Sequence, residues 1–276
     1  MTHPALTPGR VAVVTGAASG IGLAACKRFA SLGMKVCMAD RDADGLMAAS
    51  GEVAAIAGGG VDDVLAVPTD VGRLEDWQAL KDAVYGKFAE TGLLMNNAVT
   101  RENACTWENI DHWRRTMNVN LWGVINGVQT FVPAMIGQGT PSVVVNTGSK
   151  QGITNPPKNP PYNVSKAALK AYTELLQHEL RNIPGGKVTA HLLVPGWTTT
   201  GTSKHVEGAW LPDQVIDVLV AALEKGDFYI ICPDGEVTPE MDRRRILWAA
   251  GDMVDNRPAL SRWHGGYDGA FAKFSP

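Results

Sequence analysis

Residues 10–22 read RVAVVTGAASGIG. The apolar run Arg10–Val14 predicts a buried strand, and the glycine-rich turn Thr15–Gly22 follows it at once. Apolar residues then recur at spacings of three and four, as they do along one face of a helix. A strand, a glycine-rich turn and a helix in this order are typical of a dinucleotide-binding unit, because the glycines let the backbone approach a pyrophosphate at the helix N-terminus. The alternative is an ordinary strand–helix loop, but the flanking strand and helix favour the nucleotide site.

The second strand, predicted at Val36–Ala39, ends in Asp40. A carboxylate at this point can accept both hydroxyls of an adenosine ribose and would repel a 2'-phosphate, so it favours NAD over NADP. Arg41 is adjacent and would soften that preference. The alternative is a solvated carboxylate at a strand end.

The rest of the chain extends this unit into a larger α/β fold. Five further apolar runs predict strands at residues 64–68, 93–95, 143–147, 188–194 and 228–232, with helical patterns between them. This alternation predicts a doubly wound, parallel seven-stranded sheet with helices on both faces, in a single domain over residues 1–276. The core would cover about residues 8–232, and residues 233–276 would form a C-terminal tail.

A long helix is predicted over residues 109–136, and a second over 161–182. The first contains Asn120 and Gly123, which are poor helix formers. They predict a local distortion that frees a backbone carbonyl to bind water; the alternative is a tolerated packing position.

The stretch Ser149–Lys166 carries the candidate chemistry. Tyr162 and Lys166 are four residues apart and would share one helix face, while Ser149 follows the predicted strand 143–147. A hydroxyl, a phenol and an ammonium group that meet at one point suit proton transfer to a carbonyl oxygen. The spacing alone is weak evidence, since many solvated helices carry it by chance.

Composition excludes several other classes. The chain has 45% hydrophobic and 19% charged residues and a formal net charge of -3, so no basic field favours nucleic acid or an anionic membrane. Its four cysteines are scattered and its six histidines form no ligand-like pair, which argues against a disulfide framework or a metal site. No signal peptide and no membrane-length apolar run is evident, so a cytoplasmic location is expected.

These motifs together resemble the short-chain dehydrogenase/reductase family over roughly residues 8–232. The motifs that carry the resemblance stand in family order: Thr15-Gly16-x-x-x-Gly20-x-Gly22, Asp70-Val71, Asn96-Asn97-Ala98, Asn120, Ser149, Tyr162-x-x-x-Lys166 and Pro195-Gly196. The resemblance implies a Rossmann-like fold and an NAD(P)-dependent alcohol dehydrogenase or ketoreductase.

The resemblance also implies a catalytic tetrad. Tyr162 would exchange a proton with the substrate oxygen, and Lys166 would lower the Tyr162 pKa and hold the nicotinamide ribose. Ser149 would hydrogen-bond the substrate oxygen, and Asn120 would hold a water that links Lys166 to solvent. Asp70 would accept from the adenine amino group, or else cap the helix that begins near Arg73.

The residues expected to contact the cofactor are Gly16, Ser19, Gly20, Ile21, Gly22, Asp40, Arg41, Asp70, Val71, Asn97, Ala98, Tyr162, Lys166, Pro195, Gly196, Thr198 and Thr200. Residues 197–211 would form a flap that closes over the substrate, although an ordinary surface loop fits the same composition.

The chain departs from the family pattern at several points. Val99 stands where a glycine is usual, and a valine tolerates a positive φ poorly, so the loop there would shift or the pocket would narrow. The tail lacks the Gly-Gly ending of many tetrameric members, so a homodimer through helices 109–136 and 161–182 is the safer expectation over a tetramer. The triplet Arg243–Arg245 is expected on a solvated face or at a subunit contact.

The leading functional hypothesis is an NAD-dependent oxidoreductase that interconverts a secondary alcohol and a ketone. A catalytically silent dinucleotide-binding sensor or scaffold is the alternative, and imine reduction or dehalogenation on the same fold is a third. The predicted substrate pocket contains Lys150, Gln151, Asn155, Trp197 and His205, with further aromatic surface from Trp107 and Trp210. These residues favour a cyclic or aryl-bearing ketone as the small-molecule substrate.

Overall fold

Seven parallel strands form one sheet in the computed structural model, which describes residues 3–201 and 204–275. The strands are β1 (Val11–Thr15), β2 (Lys35–Asp40), β3 (Val64–Pro68), β4 (Leu93–Asn96), β5 (Ser142–Thr147), β6 (Val188–Val194) and β7 (Tyr229–Ile231). Their order across the sheet is β3-β2-β1-β4-β5-β6-β7. The predicted parallel seven-stranded sheet is therefore confirmed.

Ten α-helices accompany these strands in the described residues. They are α1 (Gly20–Ser31), α2 (Ala43–Ala54), α3 (Leu74–Phe88), α4 (Ile110–Met117), α5 (Gly123–Gln138), α6 (Gln151–Thr154), α7 (Pro160–Arg181), α8 (Pro212–Lys225), α9 (Pro239–Val254) and α10 (Asp268–Lys273). Helices α1, α2 and α8 cover one sheet face and α3, α5 and α7 the other. Alternate side chains along a strand reach the two cores, as Ala12 and Val13 of β1 do.

The strand order reverses between β1 and β4. The chain leaves β1 toward β2 on one side and β4 toward β5 on the other, with Val14 paired to both Met38 and Met95. The loops beyond the carboxyl ends of β1 and β4 therefore diverge and leave a crevice, which is where open α/β sheets bind ligands.

Helices α4 and α5 are continuous through a π-helical turn at Asn118–Trp122. The local distortion predicted near Asn120 is thus present. One 18-residue window of the combined segment Ile110–Gln138 is apolar enough to span a membrane, but half of that window is buried inside the protein. Val124, Phe131 and Met135 pack against the sheet, so the segment serves as a core helix.

The tail beyond β7 is folded. Trp248 of α9 is 3% exposed and packs edge-to-face against Phe271 and Phe274, while its indole nitrogen donates to Ser261. Helix α9 also packs beside α6, which follows β5. The tail is therefore carried back to the carboxyl edge of the sheet.

Candidate active site

A cavity of about 1050 Å³ opens along the carboxyl edge of the sheet. Of the residues predicted to contact the cofactor, all but Gly22 line it: Gly16, Ser19, Gly20, Ile21, Asp40, Arg41, Asp70, Val71, Asn97, Ala98, Tyr162, Lys166, Pro195, Gly196, Thr198 and Thr200. Ser149 lines the same cavity. One crevice thus holds the predicted nucleotide site and three of the four predicted catalytic side chains.

The glycine-rich turn needs its glycines for two different reasons. Gly16 and Gly20 have φ values of 67° and 56°, a region that disfavours other residues. Gly22 is absent from the cavity lining because it lies against the turn itself: a Cβ there would sit 2.0 Å from the Gly16 carbonyl oxygen. Asn97 completes the turn from β4 by donating its side-chain amide to the Thr15 carbonyl oxygen at 3.1 Å.

Asp40 faces the cavity from the end of β2. Its two carboxylate oxygens accept from the backbone nitrogens of Ala18 at 3.0 Å and Asp42 at 3.1 Å. Each oxygen keeps acceptor capacity, so the carboxylate is held in place and can still receive ribose hydroxyls. This cradle of positive-φ glycines and an oriented acid fits a dinucleotide, and the neighbouring Arg41 is exposed at the cavity edge.

Asp70 does not cap α3. Its carboxylate accepts from the Gly72 backbone nitrogen at 2.9 Å, while the N-cap position of α3 is Arg73. The capping alternative is therefore wrong, and Asp70 lines the cavity beside Val71.

Lys166 and Tyr162 project from the same face of α7, next to the end of β5. The Lys166 ammonium donates to the Thr147 carbonyl oxygen at 2.7 Å and lies 5.7 Å from the centroid of the Tyr162 ring. Ser149 lies close enough to Tyr162 to help lower the pKa of the phenol, and its hydroxyl accepts from the Gln151 backbone nitrogen at 3.2 Å. Hydroxyl, phenol and ammonium group thus converge as the spacing predicted.

The surroundings of Tyr162 favour its phenolate. Burial alone would raise the Tyr162 pKa, but the positive charge of Lys166, the nearby Ser149 hydroxyl and the charge of Arg101 outweigh it and lower that pKa. Burial also lowers the Lys166 pKa, and Arg101 adds to that effect.

Arg101 is a site residue that the sequence analysis missed. Its guanidinium carbon lies 4.4 Å from the centroid of the Tyr162 ring, at the cavity wall. The family motifs gave no signal for it, since it lies in the loop between β4 and α4.

Asn120 is fully buried behind the cavity. Its side-chain carbonyl accepts from the Thr100 backbone nitrogen at 2.8 Å, and its amide donates to the Thr100 carbonyl and to the Ser165 hydroxyl. In this arrangement Asn120 joins the loop that carries Arg101 to helix α7.

The predicted substrate residues divide into two groups. Lys150, Gln151 and Trp197 line the cavity, whereas Asn155, His205, Trp107 and Trp210 are not among its lining residues. Asn155 accepts instead from Asn163, and His205 is hydrogen-bonded to Thr199. The assignment of those four residues to the pocket is thus not supported.

The Lys150 ammonium group forms ion pairs with two carboxylates. Its ammonium lies 2.6 Å from Asp242 of α9 and 3.4 Å from Asp234. Asp234 also accepts from the Trp197 backbone nitrogen and abuts Gly196, where a Cβ would lie 1.8 Å from its carboxylate. Lys150 therefore joins the loop after β5 to the tail.

The tail supplies cavity residues that no sequence motif predicts. Arg245, Arg262 and Trp263 line the cavity. Arg245 belongs to the triplet expected on a solvated face or a subunit contact, so that expectation fails for this residue. The folding of the tail around Trp248, which no motif indicated, brings all three to the site.

Val99 lines the cavity without backbone strain, since it is not among the residues with positive φ. The backbone at this position therefore carries no strain, and the narrowing of the pocket by Val99 stays a prediction.

The predicted flap, residues 197–211, includes Thr202 and Ser203, which lie outside the described residues. Its two ends are paired: the Trp210 nitrogen donates to the Trp197 carbonyl and the Thr199 nitrogen donates to the Trp210 carbonyl, both at 2.9 Å. Within residues 3–201 and 204–275, no group of three or more His, Cys, Asp or Glu residues is arranged to hold a metal ion.

Known proteins are similar to this chain in sequence and in fold. A sequence model of the family described as short chain dehydrogenase matches residues 10–209. A 1-deoxy-11-beta-hydroxypentalenate dehydrogenase of Streptomyces avermitilis is 31% identical over 248 residues, which cover 86% of this chain and 89% of that protein. An NADP-dependent (R)-specific alcohol dehydrogenase of Lentilactobacillus kefiri is 31% identical over 204 residues, covering 73% of this chain and 78% of that protein. A short-chain dehydrogenase/reductase of Burkholderia phymatum, solved in complex with NAD, superimposes with a TM-score of 0.83 at 30% identity, covering 93% of this chain and 97% of that one.

Proposed function

The chain belongs to the short-chain dehydrogenase family, and on that premise we propose that it is an NAD(H)-dependent oxidoreductase that interconverts a secondary alcohol and a ketone. One observation carries the proposal. Tyr162, with Ser149 and Lys166 beside it, shares one cavity with the glycine-rich turn and Asp40.

In the direction of reduction, bound NADH would supply the hydride that reaches the carbonyl carbon. Ser149 orients the carbonyl oxygen by hydrogen bonding and stabilises the negative charge that develops on it. Tyr162 donates its phenolic proton to that oxygen. Lys166 stabilises the resulting phenolate, and in oxidation the same phenolate removes the proton from the alcohol.

The preference for NAD over NADP rests on Asp40. Its carboxylate would repel the 2'-phosphate of NADP, and Arg41 would offset part of that repulsion. The Burkholderia phymatum relative binds NAD, while the Lentilactobacillus kefiri relative is NADP-dependent. The oriented carboxylate of Asp40 therefore decides our choice of NAD.

An aromatic wall supports a cyclic or aryl-bearing substrate. Trp197 lines the cavity from the flap and Trp263 lines it from the tail. Trp107 and Trp210, which were also expected there, are not among the lining residues. Flat aromatic rings in a cavity lining suit a flat or compact substrate better than a long aliphatic one.

We further propose a cytoplasmic homo-oligomer. The two long helical segments, Ile110–Gln138 and α7, carry large exposed apolar side chains, among them Trp122 and Leu175. Pairing such faces between two copies would remove them from water, which supports a dimer through these helices more directly than a tetramer.

The test is turnover of a panel of cyclic, aryl and short aliphatic ketones with NADH and NADPH. We expect NADH-dependent reduction that falls about 10²- to 10⁴-fold in Tyr162→Phe, because the proton donor is lost. Tyr172→Phe, on the same helix but away from the cavity, is the matched control. Tight NAD binding without turnover of any panel member would instead support a silent binding protein.

A further inference from the structure

Two arginines of the tail lie in the cavity without a carboxylate partner. Arg245 projects from α9 and Arg262 from the turn Ser261–Trp263, and both are half-buried. Neither forms an ion pair with a described carboxylate, although nine other lysine and arginine side chains do. The Arg245 Nε is buried and has no hydrogen-bond partner among the described residues.

Such groups are costly to bury. A guanidinium removed from water without an acceptor loses hydration that the protein does not replace. Burial, with repulsion from Arg245, lowers the Arg262 pKa to about 10. Two like charges held close together at a cavity wall therefore call for an anion that comes from outside the chain.

Packing and hydrogen bonds within the tail fix the turn that carries Arg262. Arg262 stacks on Trp263 and Phe271, with its guanidinium carbon 4.7 Å and 5.4 Å from the two ring centroids. The turn that carries it is tied to α9 by Asp252, which accepts from the Ser261 backbone nitrogen and hydroxyl and pairs with Arg257 at 3.0 Å. The position of the Arg262 guanidinium thus follows from packing, and Arg245 is carried by helix α9, to which this turn is tied.

The arginines lie toward Ser149 and away from the adenosine end of the cavity. Arg245 follows Asp242 by three residues and shares its helix face. Asp242 contacts Lys150, the residue next to Ser149. Asp40, by contrast, ends β2, on the other side of β1 from β5 and β6.

The charges nearby define what would bind. Two carboxylates lie at this end of the site, Asp234 in the cavity lining and Asp242 next to Lys150, and both are paired with Lys150. Together with Arg245 and Arg262 these groups leave one positive charge in excess, and Arg101 at the same end of the cavity adds another. This excess fits an anionic group on the ligand such as a carboxylate, which a planar guanidinium binds with two parallel hydrogen bonds.

We propose that Arg245 and Arg262 form a subsite that binds a carboxylate of the substrate, so that the alcohol or ketone is one that carries an acid group apart from the reacting carbon. This assignment rests on the proposed function, because it takes the bound anion to be part of the substrate of that reaction. Anion binding itself can be measured without turnover. A cation pair in a partly dry cavity discriminates strongly between a charged ligand and its neutral isostere.

The experiment measures binding to the NAD⁺-loaded protein, in which a ketone has no hydride to accept. The probes are 3- and 4-acetylbenzoate and the corresponding acetylbenzamides, titrated by calorimetry. We expect at least one acetylbenzoate to bind about tenfold or more tightly than its amide. In Arg245→Gln and Arg262→Gln the preference should fall to near unity with the amide affinity unchanged, and Arg262→Lys should retain part of it.

Arg243→Gln is the matched control. It removes one charge from the same helix at an exposed position that does not line the cavity, and it should keep the preference. Equal affinity of the wild-type protein for acid and amide, no measurable binding of either acetylbenzoate, or an equal loss in Arg243→Gln would overturn the proposal. A preserved acid preference in a protein that reduces no ketone would refute the proposed activity and leave the anion subsite standing.

Discussion

The two ends of the cavity are built in different ways. At the cofactor end, the main parts are backbone: Gly16 and Gly20 at positive φ, and the Asp40 carboxylate fixed by two backbone nitrogens. At the substrate end, the parts are side chains from distant segments, with Lys150 joined to the tail and Arg262 presented by it. A site made of backbone geometry leaves a short motif in the sequence, whereas a site made by tertiary packing does not.

The largest expected effect tests whether the tail serves the substrate end alone. Trp248→Ala removes the aromatic core of the tail, and a buried tryptophan-to-alanine change costs about 3–5 kcal/mol. We expect the KM for a ketone to rise about tenfold or more, with the Kd for NAD unchanged, as measured by steady-state kinetics and calorimetry. Trp107→Ala, at an 82% exposed side chain, is the control, and an equal loss of NAD affinity in Trp248→Ala would remove the distinction between the two ends.

A substitution in the glycine-rich turn tests the cofactor end of the cavity. Gly22→Ala would place a Cβ 2.0 Å from the Gly16 carbonyl oxygen, so the turn must move, at a cost of about 1–3 kcal/mol or more. We expect the Kd for NAD to rise about tenfold to a hundredfold. In Gly51→Ala, on α2 with no neighbour near its Cβ position, binding should be unchanged and stability equal or higher by up to ~1 kcal/mol. Unaltered NAD affinity in Gly22→Ala would mean that the turn is not the cofactor cradle.

A smaller effect separates the two nucleotides. Asp40→Ala removes the charge that would repel a 2'-phosphate, so the ratio of kcat/KM for NADH over NADPH should fall about tenfold. Asp44→Ala, an exposed acid in the first turn of α2, should leave the ratio unchanged. A wild-type enzyme that prefers NADPH would contradict the proposed role of Asp40 in selecting NAD.

The smallest effect is a shift in pH dependence. The positive charge of Arg101 favours the Tyr162 phenolate and so contributes to its lowered pKa. Removing that charge in Arg101→Gln should raise the pKa, so the rise of kcat/KM for alcohol oxidation should move to higher pH. The control is Arg114→Gln on α4, whose guanidinium is exposed. An unchanged midpoint would show that Arg101 does not act on Tyr162.

Much of the fold was predictable because it depends on local patterns. All seven strands lie within a few residues of their predicted positions, and the distortion near Asn120 followed from two poor helix formers inside a long helix. The helices expected at residues 109–136 and 161–182 are the segments Ile110–Gln138 and α7. Buried parallel strands are continuous apolar runs, and such runs are visible in one sequence.

The residues of the candidate site also differ in whether a local sequence pattern predicts them. Ser149, Tyr162 and Lys166 converge because four-residue spacing on a helix and a preceding strand end impose it. Asn155 is predicted in the pocket because it follows Ser149, and His205 because it lies in the 197–211 segment, but neither position in the sequence determines which side chains face a cavity. Arg101 lies in a loop whose course is set by Asn120, which no pattern in that loop reveals.

The sequence by itself determined the doubly wound sheet, the glycine-rich turn at Thr15–Gly22 and the spacing of Tyr162 and Lys166, since each depends on backbone preferences and short-range periodicity. Only the tertiary structure decided that Lys150 is neutralised by Asp234 and Asp242, and that Arg245 and Arg262 enter the cavity. The reason is physical: the tail folds through the contacts of Trp248 with Phe271 and Phe274, and such contacts between distant residues carry no local signature.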